Sequence, residues 1–148
     1  MWLRRRSLLQ KLDVKRIEDA IRQAEKRSSG EIRVSVAPFF WGSVRKAAER
    51  AFSRLGLTQT KARNGVLLFV VPARRKFVVL GDEAIHAKVG QEFWEKAASA
   101  LSAKFRGGDF TGGLVDAIAV IGDELSRHFP NAGEADVNEL PDQVDFGS

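Results

Sequence analysis

The chain has 148 residues, of which 44% are hydrophobic and 29% are charged, and it contains no cysteine. This length suffices for one domain with a real core, and the absence of cysteine excludes disulfides, thiolate zinc sites and cysteine nucleophiles. No apolar run approaches the roughly 18 residues that a membrane span needs. We therefore expect a soluble protein without a transmembrane segment, with the cytoplasm as its default compartment.

Charge is distributed unequally along the chain. Residues 1–129 hold all 24 Lys and Arg residues but 14 of the 19 acidic ones, for a net charge of +10. The remaining residues hold only acidic charges. Such asymmetry indicates an anionic partner, such as a membrane surface or an unidentified protein, or an acidic tail that folds back on a basic body. Nucleic acid is not an expected partner, because no Lys/Arg cluster is interleaved with stacking aromatic residues.

The same asymmetry suggests the domain organisation. We predict a basic N-terminal segment at residues 1–12, with Arg4, Arg5 and Arg6 as a solvated end, a single domain at 13–130 and an acidic tail at 131–148. The tail is predicted to be either loose or held by its few apolar side chains, Val137, Leu140, Val144 and Phe146.

The first half of the domain reads as helix, strand, helix. Apolar residues at helical spacing predict a first helix from Asp13, its N-cap, to about Arg27. Alternation over residues 31–37 predicts a strand with one buried face, ended by Pro38. A stripe from Val44 to Leu55 predicts a second helix that packs on a sheet.

The second half reads as two strands and two helices. The apolar runs 66–71 and 77–80 predict central strands covered on both faces, and the short polar link between them predicts an antiparallel hairpin. A third helix is predicted beyond Gly90, over 93–105, and a fourth over 114–125. The order αβαββαα predicts an α/β fold, a three-layer α/β/α sandwich with a small mixed sheet.

Several familiar chemistries lack their residues. Two histidines and no cysteine make a structural zinc site improbable. The chain has no Gly-x-Ser-x-Gly elbow, no Walker A loop and no Gly-x-Gly-x-x-Gly fingerprint, so the usual hydrolase and nucleotide-binding templates fail. No catalytic residue is assigned from the sequence. Trp94 is predicted to be a core residue, and Trp2 and Trp41 are expected to be packing residues too.

Polar side chains stand at several junctions between the predicted elements. In an antiparallel hairpin, Asn64 at the entry of one strand lies beside Asp82 at the exit of the next. A right-handed parallel crossover would bring Glu31 to the same edge, and Asp109, in a glycine-rich turn, could close the group. Carboxylate and amide oxygens are the ligands that Ca²⁺ and Mg²⁺ prefer. We therefore predict a divalent-cation site from Asn64, Asp82, Glu83 and Asp109, with Glu31 and Arg106 as possible additions.

A simpler interpretation explains the same residues. Asp82 and Asp109 or Thr111 precede predicted helices, so each carboxylate could serve only as an N-cap. Asn64-Gly65 could be only a turn.

At these motifs the chain resembles the TPM-domain family, which includes thylakoid, photosystem-associated and membrane-anchored proteins. The resemblance spans about residues 17–130. It rests on four stretches: Gly30-Glu31, Asn64-Gly65-Val66-Leu67-Leu68, Gly81-Asp82-Glu83-Ala84-Ile85, and Phe105-Arg106-Gly107-Gly108-Asp109-Phe110 with Gly113. It implies an α/β/α sandwich, and in some members acid phosphatase activity or divalent-cation binding near the corresponding loops.

Three hypotheses follow from the residues and the resemblance. The first is a domain that binds Ca²⁺ or Mg²⁺ at its acidic loops. The second is a metal-assisted acid phosphatase, in which Arg106 and a cation offset phosphate charge. The third is a module without enzymatic activity that docks on a protein or membrane surface.

Overall fold

The computed structural model describes residues 12–131 and 140–147. The predictions for Trp2, the arginines at 4–6 and Val137 lie outside these residues. The elements follow in the predicted order: α1 Val14–Lys26, β1 Glu31–Val36, α2 Val44–Arg54, β2 Gly65–Val71, β3 Lys76–Gly81, α3 Glu83–Phe105 and α4 Phe110–His128. Within the described residues, no helix is long and apolar enough to cross a membrane.

The three strands form one mixed sheet in the order β1-β2-β3. β1 and β2 are parallel, with Glu31 opposite Gly65, and β2 and β3 are antiparallel, with Val66 opposite Gly81. The hairpin prediction is confirmed. β3, however, is the edge strand and is only partly buried, so the prediction of two central strands is wrong for it. Its apolar residues pack against helices, but no described strand pairs with its outer edge.

Helices cover both faces of the sheet and form the predicted sandwich. One face packs alternate strand residues such as Ile32 and Leu68 against α1, α3 and α4. The other packs residues such as Leu67 and Phe69 against α2. Alternation of side chains along each strand thus supplies both cores, because successive residues point to opposite faces.

The third helix begins earlier than its apolar stripe predicted. α3 starts at Glu83, directly after Asp82, and is interrupted at Gly90, whose φ of 73° and ψ of 177° are not helical. A left-handed φ is a conformation that glycine adopts without a steric penalty. The stripe beyond Gly90 is present as predicted, and its Trp94 is buried.

The acidic tail folds back on the body along the free edge of β1. Asp145 accepts a hydrogen bond from the Val36 amide at 2.7 Å and donates one to the Val34 carbonyl at 2.9 Å. The Arg33 guanidinium donates to the Gln143 carbonyl, and the Ser35 hydroxyl donates to the Asp145 carboxylate. The prediction of one exposed β1 face is therefore wrong: all six strand residues are buried. The described tail segment is tethered, with Val144 in the core.

Candidate functional site

One edge of the sheet gathers most of the predicted acidic site. Glu31 pairs with Gly65 in the β1–β2 register, and the Asp82 amide donates to the Gly65 carbonyl at 2.9 Å. Glu31 and Asp82 therefore flank the start of β2, about 10 Å apart at the usual strand spacing. We call this region the acidic edge and define it by Glu31, Asn64, Asp82 and Glu83.

Asp82 is the best-positioned carboxylate of the acidic edge. Its side chain is 7% exposed, and its Oδ1 accepts from the Glu83 amide at 2.8 Å, as an N-cap of α3. Arg63 binds the same carboxylate in a bidentate manner, with Nε–Oδ2 at 2.6 Å and Nη2–Oδ1 at 2.9 Å. Arg63 also contacts the Glu83 carboxylate at 3.1 Å. Two carboxylates thus converge on one cationic group.

Arg63 lies at the acidic edge but is not among the site residues predicted from the sequence. Hydrogen bonding to Asp82 and the nearby negative charges raise the pKa of Arg63 above its ordinary value. The sequence position of Arg63, directly before Asn64, could have indicated this contact. The hairpin that brings Asn64 beside Asp82 also brings Arg63 close to Asp82. The residue stands at a left-handed φ of 50°, a conformation that is uncommon for side chains other than glycine.

Asn64 is almost fully buried at the same edge. The side-chain nitrogen of Asn64 donates to the Ser29 hydroxyl at 3.3 Å, which links the turn before β1 to the turn before β2. The Ala84 amide donates to the Arg63 carbonyl at 3.0 Å, which links that turn to the start of α3. The loop before β2 is therefore fixed on both sides.

Asp109 does not join this group, so that part of the predicted site is wrong. The guanidinium of Arg75, in the hairpin after β2, binds the Arg106 carbonyl. Gly108 lies beside the same hairpin, and Asp109 follows it. Asp109 and Arg106 therefore lie where β2 ends, whereas Asp82 lies where it begins, about 20 Å away for a strand of this length. Asp109 caps α4 by accepting from the Gly112 amide at 2.9 Å.

The acidic edge has oxygen ligands of the kind that a hard cation prefers, but it has few of them. In the part of the chain that the structure describes, no group of three or more His, Cys, Asp or Glu side chains could hold a metal ion. The Asp82 carboxylate is also already paired with a guanidinium. The site predicted from the sequence, with its four residues and two possible additions, is therefore not assembled in one place. Asp82 and Asp109 each cap a helix, as the simpler interpretation predicted.

A second group of carboxyls lies where the tail meets α1 and β1. Burial, followed by hydrogen bonding to Asp142, raises the pKa of Glu25 to about 10. The Glu25 carboxyl also accepts from the Ile32 amide at 2.8 Å. This pair was not predicted, because its members lie more than a hundred residues apart and its acidic tail partner has no distinctive sequence pattern.

Asp145 fixes the end of the described tail through a compact ion pair. Its carboxylate binds the Arg54 guanidinium at 2.7 and 3.2 Å and the Ser35 hydroxyl at 2.8 Å. Burial alone would raise the pKa of Asp145, but the hydrogen bonds from Arg54 and Ser35 outweigh it, so that pKa lies below its ordinary value. The carboxylate therefore stays charged in the docked tail.

Comparison with solved structures supports the fold. The chain is similar to BA42, a protein of the psychrophilic bacterium Bizionia argentinensis, with 37% identity over 94% of each chain and a TM-score of 0.85. The N-terminal domain of the cg2496 protein from Corynebacterium glutamicum has the same fold, with 16% identity, a TM-score of 0.61 and coverage of 75% of this chain and 70% of that one.

A third structure agrees. The N-terminal domain of a protein from P. gingivalis is 17% identical, with a TM-score of 0.62 and coverage of 75% and 72%. No functionally curated protein matches this chain. The family model of the TPM domain matches residues 4–124. The chain therefore belongs to the TPM-domain family.

Proposed function

We propose that the acidic edge binds a divalent cation, Ca²⁺ or Mg²⁺, in competition with the side chain of Arg63. The supporting observation is that the carboxylates of Asp82 and Glu83 converge on a single positive group. Two carboxylates that face one point lower the electrostatic potential there, and oxygen atoms are the preferred ligands of both ions.

Arg63 is suited to be a displaceable partner. Its side chain is 41% exposed, whereas that of Asp82 is 7% exposed. The guanidinium can therefore move into solvent while the carboxylate stays in place. A cation that replaced it would keep the loop before β2 linked to the start of α3, as the ion pair does now.

The proposed ligand set predicts weak binding. Asp82 and Glu83 would supply carboxylates, and Asn64, in the loop before β2, would supply an amide oxygen. Glu31 lies two strands away from Asp82 and stays outside the set. With so few protein ligands, water would complete the coordination, so affinity is expected in the weak range of about 10⁻⁴ to 10⁻³ M.

The alternative of a metal-assisted phosphatase receives less support. That mechanism needs a cationic side chain beside the bound ion to offset phosphate charge. Arg106, the candidate from the sequence, lies at the hairpin end of the sheet, where its carbonyl accepts from Arg75. The structure thus separates the two parts of the proposed reaction centre.

The test is a titration of Ca²⁺ and of Mg²⁺ into the protein, followed by amide chemical shifts. Shifts are expected for residues 63–65 and 82–84, and they should be lost in Asp82→Asn, which removes charge but keeps a side chain that caps helices well. Asp123→Asn is the matched control, since Asp123 pairs with Arg27 on an exposed surface elsewhere. Equal shifts in wild type and Asp82→Asn would refute the site.

A further inference from the structure

A loop at the end opposite the acidic edge exposes two aromatic side chains. Trp41 is 88% exposed and Phe39 is 40% exposed, and they are the exposed large hydrophobic residues among the described ones. The expectation that Trp41 packs in the protein is therefore wrong. Large apolar side chains exposed together mark interaction sites more often than isolated ones do. The loop follows β1, which is parallel to β2, so it lies at the hairpin end of the sheet.

The loop is held in place rather than left free. The two rings contact each other edge to face, with centroids 4.8 Å apart. The Arg74 guanidinium donates to the Phe40 carbonyl at 3.1 Å and to the Gly42 carbonyl at 2.9 Å, and it also lies over the Phe40 ring. Fixing the loop reduces the entropy that binding through it would cost.

Cationic residues lie close in sequence to the exposed rings or to the hairpin at the same end of the sheet. Arg45 and Lys46 lie in the first turn of α2, directly after the loop, and Arg75 and Lys76 follow Arg74 in the hairpin. All four are exposed. Among residues 12–131 and 140–147, none of the four forms an ion pair. The carboxylate of Asp109 also lies at this end, where it caps α4.

We propose that this aromatic and basic end, defined by Phe39, Trp41, Arg45, Lys46, Arg75 and Lys76, docks on an anionic lipid surface. Tryptophan is enriched at the headgroup level of bilayers, where its ring is partly buried and its N–H stays hydrated. Lysine and arginine near such a surface each contribute attraction to anionic lipids. The combination matches the amphipathic surfaces of proteins that bind membranes peripherally.

Two other kinds of partner fit the geometry less well. A stable protein interface buries about 800 Å² on each side, whereas the exposed large apolar side chains among the described residues are two rings on one loop. Single-stranded nucleic acid stacks its bases on aromatic faces, but the rings of Phe39 and Trp41 meet at 86° and so do not form parallel platforms. A bilayer needs neither a matching pocket nor parallel rings.

Co-sedimentation of the full chain with vesicles tests the proposal. Binding is expected to vesicles that contain phosphatidylglycerol and to be absent with phosphatidylcholine alone, and added salt should weaken it. Arg45→Gln with Lys46→Gln should weaken binding about thirtyfold, from the usual contribution of each basic residue. Lys88→Gln with Lys96→Gln is the matched control, with two exposed charges removed from α3.

Trp41 gives a second, independent readout. Trp41→Ser should weaken vesicle binding several-fold while the amide spectrum stays that of a folded protein, because the side chain is exposed. Lipids brominated on their acyl chains should quench fluorescence in wild type but not in Trp41→Phe, which would assign the quenching to this residue. Four results would overturn the proposal. They are no binding to vesicles, equal binding to neutral and anionic vesicles, equal vesicle binding by wild type and Trp41→Ser, or tighter binding to a single-stranded oligonucleotide than to vesicles.

Discussion

Asp82 and Asp109 cap successive helices from opposite ends of the same sheet. α3 has 23 residues and is interrupted at Gly90. It begins at the acidic edge and ends beside the hairpin, so the two carboxylates serve different surroundings. One end of the protein therefore offers convergent carboxylates, and the other offers exposed aromatic rings among cations.

Removing the Asp82 side chain should destabilise the protein by about 1 kcal/mol. Asp82→Ala deletes the N-cap of α3, a loss of that size in most helices, whereas Asp82→Asn keeps a capping side chain. Urea unfolding should therefore separate the two variants, with the alanine variant less stable. Equal stability would show that the cap contributes nothing at this position.

The pair of Glu25 and Asp142 should make stability depend on pH. The pKa of Glu25 is raised from 4.5 to about 10 in the folded protein, so the folded state binds a proton that the unfolded state releases above pH 4.5. Stability is therefore highest at the acidic end of this window and should fall as pH rises toward 10, by at most about 1.4 kcal/mol per pH unit.

Glu25→Gln tests that dependence, because glutamine carries no titrating proton. Urea unfolding between pH 5 and 9 should show a smaller decline for the variant than for wild type. Asp123→Asn, on an exposed surface, should keep the wild-type decline. Parallel profiles for wild type and Glu25→Gln would contradict the buried protonated carboxyl.

Loss of the Asp145 carboxylate should release the tail from β1. Asp145→Ala removes the hydrogen bonds from Arg54 and Ser35, which should cost about 1 to 2 kcal/mol after allowance for the partly exposed arginine. The Val36 amide, which donates to the Asp145 carbonyl, should then exchange faster with solvent. Unchanged protection of that amide would show that the backbone contacts hold the segment without the ion pair.

Gly81→Ala should be costly although the substitution is small. A Cβ at Gly81 would lie 2.3 Å from two atoms of the Trp94 ring, so the ring or the strand must shift, which would disturb the hydrogen bond from Trp94 to His86. Overpacking of this kind typically costs about 1 to 3 kcal/mol. Gly107→Ala is the control, since its nearest contact would be an ordinary 3.7 Å. Equal melting temperatures for the two variants would contradict the close packing.

The order of the elements and half of the acidic edge were predictable from local patterns. Period-2 and period-3.6 spacing located each strand and helix, and hairpin geometry alone placed Asn64 beside Asp82. The sequence predicts the third helix only beyond Gly90 and gives no position for the glycine-rich turn that follows it. This helix begins at Glu83 and ends beside the hairpin, so Asp109 lies at the other end of the sheet.

Contacts between distant parts of the chain could not be predicted. The alternation in β1 correctly indicates a strand, but its polar residues are buried by a tail about 110 positions away. The exposure of Trp41 could not be predicted for a related reason: hydropathy favours burial of tryptophan, and only tertiary structure shows that no element among residues 12–131 and 140–147 covers this side chain.

Calorimetric titration of Ca²⁺ into wild type and Arg63→Gln tests the central claim most directly. If Arg63 occupies the position that a cation would take, its removal should increase affinity for Ca²⁺, while Arg27→Gln, which breaks an exposed pair elsewhere, should leave affinity unchanged. Tighter binding is expected in Arg63→Gln alone. Weaker binding or no binding in that variant would contradict it.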